Sequence, residues 1–314
     1  MVALRKGSRG SLVKTLQRGL AHLGYHPGGA DGVYGPVTAA RVADFQARVR
    51  LYDDGIFGPA TAGAYNDRVP FELRIALITV SSIHVDAGDR LALTRRKADY
   101  IPKRSLRTIK LREDCGRAYD ELVADVHELG GKVTTAGGLR GLTPKGKKIG
   151  SAQSRTSFHY LGRAFDLGLP SGMQDKGIET FEITRDGPRH WVVWCHAPGA
   201  PEVTLDAVRV SGFRDKRGRR RTQIHTDTIT GHFVNFTDLA DVHGFARIGA
   251  RRSFLRGGSY SGAEWWHFSW LEGLTGRPTY GDELRRIYPL HKCRNFVFWD
   301  DVKDLQYNGR GGWG

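Results

Sequence analysis

A chain of 314 residues is long for one compact domain, and its 39% hydrophobic and 10% aromatic content suffices for real cores and excludes wholesale disorder. With 48 Lys and Arg against 33 Asp and Glu, the formal charge is +15, which favours a polyanionic partner surface. No run of about eighteen apolar residues is present to span a membrane, and the opening MVALRKGSRG lacks the apolar stretch of a secretory signal, so synthesis in a cytoplasm with no visible export signal is expected.

An internal repeat marks the N-terminal part: DGVYGPVT at 31–38 returns as DGIFGPAT at 54–61, a period of 23 residues. Upstream, SLVKTLQRGLAHLGY puts Leu12, Leu16, Leu20 and Leu23 on one helical stripe, with Ser11 as N-cap. Between the copies, AARVADFQARVRL again has helical spacing at Ala40, Val42 or Ala43, Phe45 and Val49. The Asp-Gly pairs form turns, because Gly tolerates positive φ and Asp bonds back to the backbone. A small helical bundle with two matching turns is predicted over residues 1–68. LQRGLAHLGY, the two DG-x-[YF]-G-P-x-T turns and VADFQ resemble the peptidoglycan-binding domain often appended to cell-wall hydrolases, over about residues 4–66. That resemblance implies attachment to peptidoglycan through a shallow groove.

Residues 69–106 read as a connecting segment. Within it, FELRIALITVSSIHV fits a strand or a buried helix equally well. The pair His84 and Asp86 has no third ligand in comparable context and is read as a decoy. From residue 107 the pattern clears into a domain ending at 314. LREDCGRAYDELVADVHELGG places Leu111, Cys115, Ala118, Leu122, Val126 and Leu129 on one helical face, closed by Gly130 and Gly131. KVTTAGGLRG is a predicted strand entering a glycine-rich turn that presents Arg140, and GLTPKGKKIGSAQSRTS reads as a basic loop. FEITRDGPRHWVVWCHA signals a hairpin turning at Asp186-Gly187, and FTDLADVHGFARIG a short helix closed by Gly244 before a strand. Helices mixed with antiparallel strands predict α+β, here a small helical bundle followed by a mixed domain with a mainly antiparallel central sheet.

Three other features are read plainly. Cys115, Cys195 and Cys293 are odd in number and far apart, which argues against a disulfide framework or thiolate zinc site, and Cys195 inside HWVVWCHA reads as strand filling. The cluster at 216–221, with Lys216, Arg217, Arg219, Arg220 and Arg221 around Gly218, is a solvated hairpin tip or a contact for anionic envelope polymers. Without a helix-turn-helix, zinc-finger or ribonucleoprotein signature, nucleic acid is the weaker reading. The aromatic group Trp265, Trp266, Phe268 and Trp270 reads first as core, with part of it free to wall a pocket.

The chemistry concentrates in SFHYLGRAFDLGLP, residues 157–170. If AFDLGL is a strand, Phe165, Leu167 and Leu169 face the core while Ala164, Asp166 and Gly168 share the other face, leaving room around the carboxylate. His159 can fold over to meet it across Gly162. Near the end, GAEWWHFSW supplies His267, with Glu264 three residues before it. Strict alternation puts Glu264 on the wrong face, so a shared site demands a bend at 264–265, eased by Gly262. His159, Asp166 and His267 would give zinc three ligands and leave a position for water. Glu264 would move that water's proton, and Arg140 would stabilise an oxyanion or pair with a substrate carboxylate.

SFHYLGRAFD, followed by EWWH, resembles the S-x-H-x-x-G-x-A-x-D and E-x-x-H signature of the D-Ala-D-Ala carboxypeptidase and L-Ala-D-Glu endopeptidase family of zinc peptidases, from the 111–130 helix through TTAGGLRG to WWHFSW. The resemblance implies zinc on His159, Asp166 and His267, Glu264 as general base, Arg140 as substrate arginine and Ser157 as the motif serine beside the site. The chain departs from the family pattern before Arg140, where GGLRG replaces a tyrosine or similar residue, and in the basic insertion at 214–222.

Both halves thus point at peptidoglycan. The expectation is a monomeric peptidoglycan peptidase with one zinc per chain that cuts an amide in the stem peptides or cross-bridges, as a phage endolysin does. It is expected to act at the cell wall after phage lysis or export. A bacterial D,D-carboxypeptidase of wall remodelling is the runner-up. A non-catalytic wall-binding protein is the rival of another class, and Glu264 discriminates against it.

Overall fold

In the computed structural model, the described residues are 4–8, 11–51, 53–70, 73, 75, 90–103, 105–149, 154–168, 172–174, 180–214, 217–218, 220–274, 278–308 and 312–313. The pair His84 and Asp86 lies outside them, as do Leu169, Lys216 and Arg219. The chain divides into two compact units, Met1–His84 with Asp238–Gly244, and Val85–Thr237 with Phe245–Gly314. Among the described residues no helix is long and apolar enough to cross a membrane.

The first unit is helical: α1 (Ser11–His22), α2 (Pro36–Arg48) and α3 (Pro59–Asn66). Leu16 and Leu20 of the predicted stripe are fully buried with Val42, Phe45, Phe57 and Tyr65, while Leu12 and Leu23 pack at the margin. Helices α2 and α3 both begin at the proline of a repeated turn, where a missing N–H costs nothing. Each turn is built around a buried glutamine. Gln17 Nε2 donates to Asp31 Oδ1 at 2.7 Å, Val33 O at 3.0 Å and Thr38 Oγ1 at 3.2 Å, and its Oε1 accepts from Gly32 N–H at 2.8 Å. Gln46 repeats the set with Asp54 at 3.0 Å, Ile56 O at 2.8 Å, Thr61 at 3.0 Å and Gly55 N–H at 2.9 Å. The repeated aspartate, glycine and threonine are the groups that satisfy a buried amide.

The second unit is α+β. Strands β1 (Leu93–Lys97) and β2 (Thr108–Arg112) pair antiparallel, so part of the segment read as a connection is a strand of this unit. Helix α4 (Glu113–Glu128) follows directly and buries Cys115, Ala118, Tyr119, Leu122 and Val126, close to the predicted face; Leu111 belongs instead to β2. One sheet runs in the order β3–β4–β10–β9, from β3 (Thr135–Gly137), β4 (Ala164–Leu167), β9 (Phe245–Arg247) and β10 (His267–Trp270), and every pairing in it is antiparallel.

A second antiparallel sheet has the order β5–β6–β8–β7. Its strands β5 (Phe181–Asp186) and β6 (His190–His196) form the predicted hairpin at Gly187, and β7 (Glu202–Arg214) and β8 (Arg220–Asn235) form a long ribbon. Of the basic cluster, the described residues Arg217, Gly218, Arg220 and Arg221 lie at this ribbon's tip, and near them Thr222 bonds the Gly257 and Gly258 carbonyls. Helix α5 (Phe236–Val242) links β8 to β9, α6 (Arg252–Leu255) follows, and α7 (Tyr280–Arg285), α8 (Leu290–Arg294) and α9 (Trp299–Val302) close the chain.

Both faces of the site-bearing sheet are covered. Phe165 stacks on Phe268 at 5.6 Å and meets Tyr119 and Phe245 edge-on at 5.2 and 5.0 Å. On the other side, Ala164 joins Tyr160, Tyr280, Phe296 and Val302 in a cluster with the C-terminal helices. Beneath lies an ion network the sequence does not announce. Glu283 of α7 is 1% exposed and accepts from Arg112 at 2.7 Å and Arg163 at 2.9 Å through Oε2, and from Arg286 at 2.8 Å through Oε1. Arg112 also grips Asp114 with two bonds of 2.8 Å, and Arg163 donates to the carbonyls of Trp270 and Glu272. Strands β2, β4 and β10 are thereby tied to one buried carboxylate.

Candidate metal centre

His159 lies on a single 3-10 turn, Phe158–Leu161, whose first amides need an acceptor; the Ser157 hydroxyl accepts from His159 N–H at 3.3 Å. The turn ends at Gly162 with φ 63°, where a Cβ would sit 2.9 Å from the Arg112 nitrogen, so a glycine is sterically required there. Strand β4 then alternates as expected: Phe165 and Leu167 are buried, and Asp166 opens to the other side. On β10, His267 stands opposite Asp166 in the ladder. Gly137 of β3 lies on Asp166's other flank, where a Cβ would be 3.5 Å from its Oδ2.

Three donor atoms converge. His159 Nε2 is 3.2 Å from His267 Nδ1 and 3.3 Å from Asp166 Oδ2, and His267 Nδ1 is 3.1 Å from Asp166 Oδ1. These separations match the edge of about 3.3 Å between ligands on a tetrahedral zinc with bonds of about 2.0 Å. The opposite ring nitrogens are both engaged: His159 Nδ1 with Gly138 O at 2.6 Å, and His267 Nε2 with Ser269 Oγ at 2.9 Å. A carbonyl acceptor demands a proton on His159 Nδ1, which leaves the Nε2 lone pair facing the cluster. Burial alone would raise the Asp166 carboxyl, but the His159 and His267 imidazoles outweigh it and hold it well below its usual range. Among the described residues this is the one His/Cys/Asp/Glu group with metal-ligand spacing, and its two imidazoles and one carboxylate fit zinc.

The predicted bend at Glu264 is real, but its form differs from a bulged strand. Strand β10 starts only at His267, and Glu264 lies before it with φ 57°, a left-handed conformation. The Glu264 carbonyl accepts from His267 N–H at 3.3 Å, closing a four-residue turn over EWWH. Glu264 is thereby brought to the same cleft as His267, as alternation along one strand would forbid. Trp265 is buried in the core, as read for the aromatic group.

The cleft has a volume of about 390 Å³ and is lined by the three donors together with Arg140, Ser157 and Glu264, all six of the residues singled out from the sequence. Arg140 is placed by its backbone N–H, which donates to His159 O at 3.0 Å. Ser157 also fixes the turn to the C-terminal helices, because its carbonyl accepts from Tyr280 O–H at 2.8 Å. Of the aromatic group at 265–270, Trp266 lines the cleft, together with Phe158 and Trp313. His225 and His232 do not line it; His232 bonds Ala200 O at 2.8 Å. All three cysteines are buried thiols, and burial pushes Cys195 up to about 12, which unsuits it as a nucleophile.

Sequence reasoning misses Arg251 and Trp313, which also line the cleft. Arg251 donates from Nε to Glu264 Oε1 at 2.7 Å. Its sequence signal is only a basic residue thirteen positions upstream of the EWWH motif, and Trp313 comes from a distant strand-like bridge with Tyr307.

Residues 9–64 match the family described as "Putative peptidoglycan binding domain". The chain is similar to "Zinc D-Ala-D-Ala carboxypeptidase" of Streptomyces albus G, 31% identical over 178 residues that cover 54% of this chain and 62% of the relative. It is also similar to "Probable N-acetylmuramoyl-L-alanine amidase" of Bacillus licheniformis, 42% identical over 65 residues, covering 20% of this chain and 18% of that protein. The chain therefore resembles a modular peptidoglycan hydrolase. It spans less than two thirds of the length of either relative.

Proposed function

We propose that the protein is a zinc-dependent peptidase that hydrolyses an amide bond in the stem peptides or cross-bridges of peptidoglycan. The observation that carries the reading is the convergence of His159, Asp166 and His267 at tetrahedral ligand spacing, in one cleft with Glu264. The similarity to a zinc carboxypeptidase and the wall-binding family match support the same substrate class.

Zinc bound here would supply Lewis acidity and bring a water's pKa down to about 7. Glu264 accepts the proton of the attacking water and returns it to the departing amine. Arg140, tied through its backbone to the turn of His159, meets a substrate carboxylate or the developing oxyanion. Ser157 and Gly138 keep His159 in one orientation, and Ser269 does so for His267. The N-terminal unit holds the chain on peptidoglycan and raises the local substrate concentration. Action is at the cell wall, with release by phage lysis as the favoured route, and the basic ribbon tip is read as a contact for other anionic envelope polymers.

The test is mass spectrometry of purified peptidoglycan digested by zinc-loaded protein, with Glu264→Gln as control. New amino and carboxyl termini inside the stem or bridge, absent from the control, are expected of an endopeptidase. Release of a terminal D-alanine alone would make it a carboxypeptidase. Unchanged muropeptides with zinc bound would leave a wall-binding protein.

A further inference from the structure

We infer that Arg251 is a positioning residue for Glu264, holding its carboxylate at the working end of the cleft. The inference rests on the peptidase reading above, in which Glu264 handles the proton.

Glu264 occupies a backbone conformation that residues with a Cβ avoid, at φ 57°, where glycine is the ordinary choice. Such a conformation persists only where its surroundings over-determine it. Four hydrogen bonds do so here. Arg251 N–H donates to Gly262 O at 2.8 Å, Trp191 Nε1–H to Ala263 O at 2.8 Å, and His267 N–H to Glu264 O at 3.3 Å. The fourth joins the side chains, Arg251 Nε to Glu264 Oε1 at 2.7 Å. Arg251 therefore grips the segment twice, once by backbone and once by guanidinium.

Gly262 lets this happen. A Cβ there would lie 3.2 Å from Arg251 Cβ and 3.0 Å from Phe254 Cβ, so the chain runs flush along the arginine stem. At the pair, the Glu264 side chain is 12% exposed and Arg251 49%. The acid is enclosed while the base meets solvent, which is the arrangement for aiming a carboxylate rather than burying an ion pair. With Oε1 engaged by Arg251, the proton-accepting role falls to Oε2. An ordinary surface pair of this exposure would have little effect on anything; this one ends on the residue that moves the proton.

The experiment uses the full-length zinc-loaded chain and measures kcat, KM and zinc content for Arg251→Ala, Arg251→Lys, Glu264→Gln and the double Arg251→Ala/Glu264→Gln variant. Hydrogen exchange of the His267 amide, which closes the turn, is followed in each. Arg251→Ala is expected to lower kcat about 10- to 100-fold with KM within about twofold and zinc content unchanged. Arg251→Lys should fall between, and the double variant should be no slower than Glu264→Gln by more than about twofold. The His267 amide should exchange faster in Arg251→Ala, which loses the guanidinium bond, but not in Glu264→Gln, whose amide oxygen still accepts from Arg251 Nε. A raised KM with kcat retained would make Arg251 a substrate contact and overturn the inference, as would wild-type kinetics or additive losses in the double variant. Failure of the peptidase reading looks different: the wild-type chain turns over no muropeptide. An unaltered His267 exchange rate in Arg251→Ala would then still refute the positioning role.

Discussion

Asp166 and His267 are cross-strand partners in the β4–β10 ladder, and the register that pairs their backbones also brings His267 Nδ1 to 3.1 Å from Asp166 Oδ1. Two of the three proposed ligands are thus positioned by sheet hydrogen bonding, and the third arrives on a turn capped by Ser157.

Metal affinity should follow that arrangement. Asp166→Asn and His267→Ala should each abolish stoichiometric zinc binding. Ser269→Ala removes only the partner of His267 Nε2 and should weaken zinc about 10- to 100-fold. Competition with a chromophoric chelator measures all three, and wild-type affinity in Ser269→Ala would show that this hydroxyl does not orient the ring.

The backbone at Glu264 makes an unusual stability order. Both Glu264→Ala and Glu264→Gly remove the carboxylate and should be inactive. Because the position has φ 57°, the glycine variant should be more stable than the alanine one by about 1 kcal/mol, the reverse of the order at most positions. Thermal unfolding of the pair decides it, and an alanine variant at least as stable would mean the left-handed conformation is not kept.

Glu283→Gln should cost about 3–5 kcal/mol, since it leaves Arg112 and Arg163 buried with one fewer anion. Its pH dependence has a definite sign. Burial would raise Asp114 and Glu283, but Arg112 beside the first and Arg163 with Arg112 beside the second hold both below their ordinary values of 3.8 and 4.5. Lowered carboxyls contribute stability that is present above those values and lost as the pH falls below them. Urea midpoints of wild type should therefore drop below about pH 4.5, and the gap to Glu283→Gln should narrow there. A gap constant down to pH 3 would contradict this reading of the network.

In the first unit, Gln46→Ala strips the second repeated turn of its central amide and should destabilise that unit by about 2–4 kcal/mol, through unsatisfied groups left at Gly55 and Ile56. Loss of co-sedimentation with insoluble peptidoglycan, with zinc binding by the second unit unchanged, is the expected result. Retained co-sedimentation at the wild-type unfolding temperature would show that the turn tolerates an empty centre.

The candidate site residues could be named from the sequence because their signal is local. Period-two alternation separates Asp166 from Phe165 and Leu167, and the same alternation, applied to EWWH, already demanded a bend before His267. The helix over 113–128 and the repeated turns were legible for the same reason. The form of the bend was not, because a glutamate at positive φ contradicts its own local preference and is stable only through bonds from Trp191 and Arg251. The turn-centring glutamines were visible as letters in LQRGL and VADFQ, yet nothing in the spacing says that a side chain from α1 enters a turn fourteen residues on.

Residue types and short periods in the sequence determined which atoms were available: two imidazoles and a carboxylate of a chemistry that suits zinc, a glutamate proposed to move a proton, and a second module with paired turns. Tertiary structure alone decided that His159 offers Nε2 and His267 Nδ1, that Arg251 reaches Glu264, and that Glu283 answers Arg112 from 171 residues away. The physical reason is range. Backbone alternation and capping act over a few residues, whereas the partner of a buried charge is chosen by whichever group the packed chain brings within a hydrogen bond of it.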